Sequence, residues 1–230
     1  MLGIFYYQRE RYDEAEAALN QAKTLTPDND LVHRNLGGVY RMHGRYQDAI
    51  RELQQSIKIR STAVAYASLG GAYFYAHRFQ EAVAAEESAI DLNANDYRYW
   101  GNLASYAKWA PGNEGKIKPA LNRAIELALK TLDAQPTDLS IHANLAEYRS
   151  RLGDSRGALK EIEAIPAQSR SPFMTRFAIA YELTGHRDRA IELLRSTLKN
   201  RASLNQIKDD PDLAGLWRDP EFQKAVGGTR

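Results

Sequence analysis

The sequence predicts an all-α chain built from stacked helix-turn-helix units, on three observations. A short signature returns along the chain. Leu36-Gly37-Gly38-Val39-Tyr40 has counterparts at Leu2-Gly3…Tyr6 and Leu69-Gly70…Tyr73, with weaker copies at Leu103-Ala104, Leu145-Ala146 and Phe177-Ala178…Tyr181. The steps between leading residues are 34, 33, 34, 42 and 32, and a near-fixed period of this size marks stacked supersecondary units. An alanine follows the leading residue by thirteen positions in five of six units: Ala15, Ala49, Ala82, Ala158 and Ala190. Between these marks apolar residues recur at helical spacing, as in Ala15, Ala18, Leu19, Ala22 and Leu25, without sustained strand alternation.

Each unit follows one logic. The small pair after the leading residue lets a neighbouring helix approach, the Tyr fills the gap between helices, and the Ala is small where the second helix crosses the first. Turns fall between, at Arg9-Glu10-Arg11, His43-Gly44-Arg45, Ala76-His77-Arg78, Leu152-Gly153-Asp154 and Thr184-Gly185-His186. Gly at three of them supplies the left-handed residue that ends a helix. Pro27 and Pro136 cannot continue the preceding helix, and the Asp, Asn and Thr that follow can cap the next one. First helices of the units are expected near 30–42, 63–76, 96–110, 139–151 and 171–184. Second helices are expected near 12–25, 46–59, 79–92, 114–134, 155–165 and 187–200, with Pro166 stopping the fifth early.

The fourth unit departs from the pattern. Leu103 and Ala124 are 21 residues apart, which places eight extra residues in its turn. Pro111-Gly112 should end the first helix, and Pro119 suits the first turn of a second helix that starts late. The segment reads as a tolerated loop insertion, with a second contact surface as the sharper alternative. Residues 1–200 thus hold about six units, the first truncated. Residues 201–230 form a C-terminal cap and tail. There Asp210-Pro211 and Asp219-Pro220 start short helices whose Leu213, Leu216, Trp217 and Phe222 suit a cover over the last repeat.

The repeating Leu-Gly…Tyr…Ala…Pro pattern resembles the tetratricopeptide repeat family over about residues 1–200. Only Trp100 occupies that family's Trp position; His33, Tyr66, His142 and Met174 stand there in other units, and Ser61 and Ala94 replace the closing Pro. The resemblance implies a right-handed superhelix with the first helices lining a concave surface. The long fourth unit and the Asp-Pro-Asp-Leu…Trp-Arg-Asp-Pro-Glu-Phe ending resemble the C-terminal repeat region of bacterial multidomain regulators, in which a kinase or winged-helix domain precedes the repeats. This chain has neither a Gly-rich phosphate loop nor a His-Arg-Asp motif. It begins inside a repeat signature and reads as a fragment of a longer protein.

Composition excludes several classes. A net charge of +2 without a dense Lys/Arg run gives no nucleic-acid footprint. Without cysteine there are no disulfides, thiolate metal sites or thiol nucleophile. No apolar run has the length of a membrane span, and no signal peptide precedes the first repeat, so the expected location is cytoplasmic. The five His match no ligand spacing, and no Ser/His/Asp constellation can be assembled. Neither enzyme activity, a metal nor a cofactor is expected. Glu86-Glu87, with Asp91, reads as a solvated convex face.

The family resemblance places the residue before each leading position in the groove: Asn35, Ser68, Asn102, Asn144 and Arg176. One turn to either side lie Arg34, Arg41, Phe74, Tyr75, Ser105, Lys108, Trp109, Glu147 and Arg151. An Asn amide offers a donor and an acceptor side by side, so Asn35, Asn102 and Asn144 are expected to hold the main chain of an extended peptide. The basic residues select acidic groups and the aromatics select apolar ones. The expected function is a scaffold for a protein or an acidic extended peptide, forming the recruiting part of a larger bacterial signalling protein. A small-molecule sensor and a self-assembly module are the alternatives. Ile4, Phe5 and Tyr6, left without cover by the truncated first unit, are expected to drive self-association.

Overall fold

The computed structural model describes Gly3, Tyr6, residues 11–197 and residues 207–227. All regular structure among them is helical. The helices are α1 (Tyr12–Leu25), α2 (Asp30–Met42), α3 (Tyr46–Ile59), α4 (Ala63–Tyr75), α5 (Phe79–Leu92), α6 (Tyr97–Ala107), α7 (Glu114–Ala134), α8 (Leu139–Arg151), α9 (Ser155–Glu163), α10 (Met174–Leu183), α11 (Arg187–Thr197) and α12 (Pro220–Gly227). They form two compact units: residues up to Asn95 with Ser105–Glu114, and Asp96–Ala104 with the chain from Gly115 onward.

In the first unit, successive helices from α1 to α5 pack on one another, and α2 also touches α4. The reason is legible in residue size. Ala15, Ala49 and Ala82 have no exposed surface at the helix crossings. A Cβ on Gly37 would lie 2.5 Å from Leu53 Cγ, so only glycine lets α3 seat its leucine there. Asn29 caps α2, its Oδ1 accepting from the Leu31 and Val32 amides, and Thr62 caps α4 through the Ala65 amide. Removing such a cap costs about 1 kcal/mol.

The second helices of this unit start differently. Arg11, Arg45 and Arg78 stand at the cap positions of α1, α3 and α5, and none makes a side-chain cap bond. Each instead joins two elements. Its amide donates to the carbonyl of the Tyr five residues earlier: Tyr6 at 3.0 Å, Tyr40 at 2.8 Å, Tyr73 at 2.9 Å. Its guanidinium lies over that same Tyr ring, 4.7, 4.2 and 4.7 Å from the centroid. It also pairs with the acid three residues on: Glu14, Asp48 or Glu81. That hydrogen bond holds each of these carboxyls below its usual range. A Tyr-x4-Arg-x2-acid staple therefore fixes the turn of each of these repeats.

The left-handed turn residues are Gly44, Gly112, Gly153 and Gly185, at φ 72, 82, 81 and 80°, and His77 at φ 56°. His77 does what glycine does elsewhere, at a steric cost that His tolerates better than most residues.

Three expectations are corrected. The extra residues of the fourth unit lengthen its second helix rather than only its turn: Glu114 precedes Ala124 by ten residues, where Tyr46 precedes Ala49 by three. Pro119 accordingly lies inside α7 and not in its first turn. Glu86 has no exposed surface. A Cβ on Gly70 would lie 2.9 Å from its Oε2, so the carboxylate occupies the room that Gly70 leaves.

In the second unit α8 packs on α9 and α10, and α10 on α11. Asp138 and Asp154 cap α8 and α9. The core joins Ile162, Ile165, Phe177, Ile191 and Leu194 to Ile207, Leu213, Leu216 and Phe222 of the C-terminal segment, with Trp217 partly buried against it. The Trp217 indole donates to the Ile207 carbonyl at 3.2 Å, and its ring meets Phe222 edge-on at 4.9 Å. Residues 198–206 and the side chains of Ile4 and Phe5, invoked above for self-association, lie outside the described residues.

Candidate functional site

The first unit carries a stripe of rings along the edge where first helices end and second helices begin. Tyr46, the first residue of α3, stacks on Tyr75, the last of α4, with centroids 6.0 Å apart and planes at 20°. One repeat on, Phe79 opens α5 and lies 6.2 Å from Trp109 at 34°. Phe74 joins the two rungs, 5.4 Å from Tyr75, 5.8 Å from Phe79 and 4.9 Å from Tyr106. Cations sit on the outer rings. The Arg41 guanidinium is 5.7 Å from the Tyr75 centroid, and Lys108 Nζ is 5.1 Å from that of Trp109.

Trp109 is positioned by its loop. Gln80 donates to the Pro111 carbonyl at 2.8 Å, and Asn113 Nδ2 donates to Gln80 Oε1 at 3.0 Å and to the Ala110 carbonyl at 3.3 Å. The loop is thereby clamped to the start of α5. Tyr46, Tyr75, Phe79 and Trp109 are half-buried and Lys108 is exposed, so the stripe keeps part of its ring surface and the Lys108 charge in reach of solvent.

Five expected groove residues, Arg41, Phe74, Tyr75, Lys108 and Trp109, come together here. Phe74 differs from its expectation. At 5% exposure it is core, because it lies between three other rings. Arg34 and Asn35 are half-buried on α2, and the Asn35 Nδ2 is buried without a hydrogen-bond partner. Ser68 turns back on its own helix, donating to the Val64 carbonyl at 2.8 Å. Ser105 is buried in this unit.

In the second unit, Asn102 is half-buried on α6. Asn144 is buried, and its Nδ2 uses one of its two N–H groups on the Ser140 carbonyl at 2.7 Å, so it is not presented to a peptide as expected. Arg151 and Glu147 face inward. Arg151 Nη2 lies 2.9 Å from Glu147 Oε1 and 2.6 Å from Asp212 Oδ2, and Arg176 Nε stands 3.6 Å from Glu147 Oε2. These are cap contacts rather than an open groove.

Two histidines at the Trp position each pair with a glutamate that sequence reading missed. His33 Nδ1 lies 2.6 Å from Glu52, and His142 Nδ1 lies 2.7 Å from Glu161. Both acids stand nineteen residues on, and that repeated His-to-Glu spacing was the available signal. Among the described residues no group of three metal-ligating side chains is assembled, and no helix is long and apolar enough to cross a membrane.

Residues 1–62 match the family model described as Tetratricopeptide repeat. No curated protein matches the chain. Among solved structures, that of the APC/C hetero-tetramer Cut9-Hcn1 is similar over 92% of this chain, at 18% identity and a TM-score of 0.61; this chain spans 41% of that one. The pilF structure from Pseudomonas aeruginosa is similar over 99% of this chain and 94% of its own, at 18% identity and a TM-score of 0.52. The MamA crystal structure overlays 90% of this chain and 98% of its own, at 21% identity and a TM-score of 0.46. The helical-repeat fold is therefore shared with solved structures across nearly the whole chain, and residues 1–62 carry the tetratricopeptide signature itself.

Proposed function

We propose that the chain is a scaffold that binds a protein or an extended peptide, and that the partner engages the aromatic stripe of the first unit. The observation that carries this reading is the doubled rung, Tyr46–Tyr75 and Phe79–Trp109, with Arg41 and Lys108 set over the outer rings. Half-buried aromatics beside Arg are the composition of binding hot spots. Rungs repeated one unit apart suit a ligand that is itself extended and offers apolar side chains at intervals. The two cations favour acidic groups between them. The Asn35 amide nitrogen and the Asn144 side chain are both buried, so the reading rests on the rings and cations rather than on an Asn ladder. The C-terminal resemblance supports placing the chain in a larger bacterial signalling protein as its recruiting part.

Affinity capture followed by calorimetry tests the reading. Lys108→Glu should weaken binding of the captured partner severalfold without changing the melting temperature, and raised salt should weaken the wild type in the same direction. Unchanged affinity in a folded Lys108→Glu variant and in Trp109→Ala would place the partner elsewhere.

A further inference from the structure

We propose that the Asp210-Pro211-Asp212 turn is a proton-operated clasp: it seats the C-terminal cap on the second unit while Asp210 carries a proton, and loosens when Asp210 ionises. The turn is buried against α8 and α10. Asp210 is 5% and Asp212 8% exposed. The charged groups that act on it are Asp212 beside it and Glu147 and Arg151 on α8, and Arg176 on α10 reaches Glu147 at 3.6 Å. Farther along the cap, Glu182 pairs with Arg187, which reaches Asp219 at 3.9 Å.

Among the described residues the charges around the turn do not balance. Arg151 is the buried cation, and it is engaged by Glu147 at 2.9 Å and Asp212 at 2.6 Å. Arg176 meets Glu147 from the solvent side. Asp210 is left with the Asp212 amide, whose N–H its Oδ1 accepts at 2.9 Å. A third carboxylate buried beside Asp212 is disfavoured by lost hydration and by like charge. Asp212 touches Arg151, and Asp210 touches no cation among the described residues, so the geometry favours the proton on Asp210. Burial first, and the Asp212 charge second, push its carboxyl up to about 7.

The sign follows. In the seated cap Asp210 holds its proton to about pH 7, whereas in an opened cap it releases it near the ordinary value of 3.8. The contribution of this group to seating is complete below that lower value. It is lost as pH rises through the upper one. Opening would uncover the apolar face of Phe177, Ile191 and Leu194 that Leu213, Leu216 and Phe222 now cover.

The test compares the full chain with Asp210→Asn, which keeps the oxygen acceptor for the Asp212 amide and cannot ionise. Hydrogen-exchange protection is read by nuclear magnetic resonance at the Leu213 amide and the Trp217 indole, each corrected for intrinsic exchange. Between pH 8 and pH 5.5, protection in the wild type should rise about thirtyfold. In Asp210→Asn it should stay flat. Equal pH dependence in both proteins overturns the clasp. So does an Asp210 carboxyl carbon resonance in the wild type that titrates below about pH 5, a result that stands even if the variant folds poorly.

Discussion

Phe79 and Trp109 lie 6.2 Å apart, and Tyr46 and Tyr75, in the corresponding places one repeat earlier, lie 6.0 Å apart. The same contact made twice shows that the repeat dictates it. Such a ring pair contributes about 0.5–1.5 kcal/mol beyond its buried area. A double-mutant cycle of Phe79→Leu and Trp109→Leu, read by chemical denaturation, should return a coupling of about that size. Strict additivity would mean the two rings are adjacent without interacting.

The turn at His77 leads to a gain in stability. His77 holds φ 56° where Gly44, Gly153 and Gly185 hold the same turn without strain. His77→Gly removes the left-handed penalty, loses the edge contact to Phe79 at 5.6 Å and gains chain entropy in the unfolded state. The net should be about 0.5–1 kcal/mol of added stability, seen as a higher melting temperature. A lower one would show that the Phe79 contact outweighs the strain.

The Tyr–Arg–acid staple is tested at Arg45, whose guanidinium covers Tyr40 and contacts Asp48 and Glu16. Arg45→Lys keeps the charge and loses the planar stacking surface. Denaturation should show a loss of about 0.5–1 kcal/mol. An unchanged midpoint would reduce the staple to its backbone hydrogen bond.

At the C-terminal cap the two aromatics should differ. Phe222 is fully buried, whereas Trp217 is partly exposed. Phe222→Ala should cost about 3–5 kcal/mol. Trp217→Ala should cost roughly half as much, even counting its bond to Ile207. The reverse order in thermal unfolding would mean that the indole, not the phenyl ring, anchors the cap.

Helix positions were legible because they rest on spacing: α1, α2, α3, α5, α7 and α8 begin and end where periodicity, Pro27, Pro136 and the turn glycines put them. Side-chain destinations were less so. Glu86 reads as a surface acid, and only its juxtaposition with Gly70 across two helices reveals that it is buried. Phe74 and Tyr75 are neighbours in sequence, yet one is core and the other half-exposed, since Tyr106 and Phe79 close over the first alone. Asn144 has the right chemistry for a peptide but is buried, with one amide N–H on Ser140 of its own helix turn, which spacing does not expose. The ends of α7 match the expected 114–134, but the eight extra residues of that unit read as turn because Pro119 favours a first-turn position, whereas it lies on the exposed side of the helix interior.

We propose that the ring stripe with Arg41 and Lys108 selects an acidic extended segment. The most direct measurement is selection of a random peptide library on the wild-type chain and on a Trp109→Ala, Lys108→Glu double variant whose helicity is checked by circular dichroism. The account predicts that peptides enriched on the wild type pair acidic with apolar or aromatic residues, and that the double variant loses them. Enrichment without acidic residues, or the same peptides retained by the folded double variant, would contradict it.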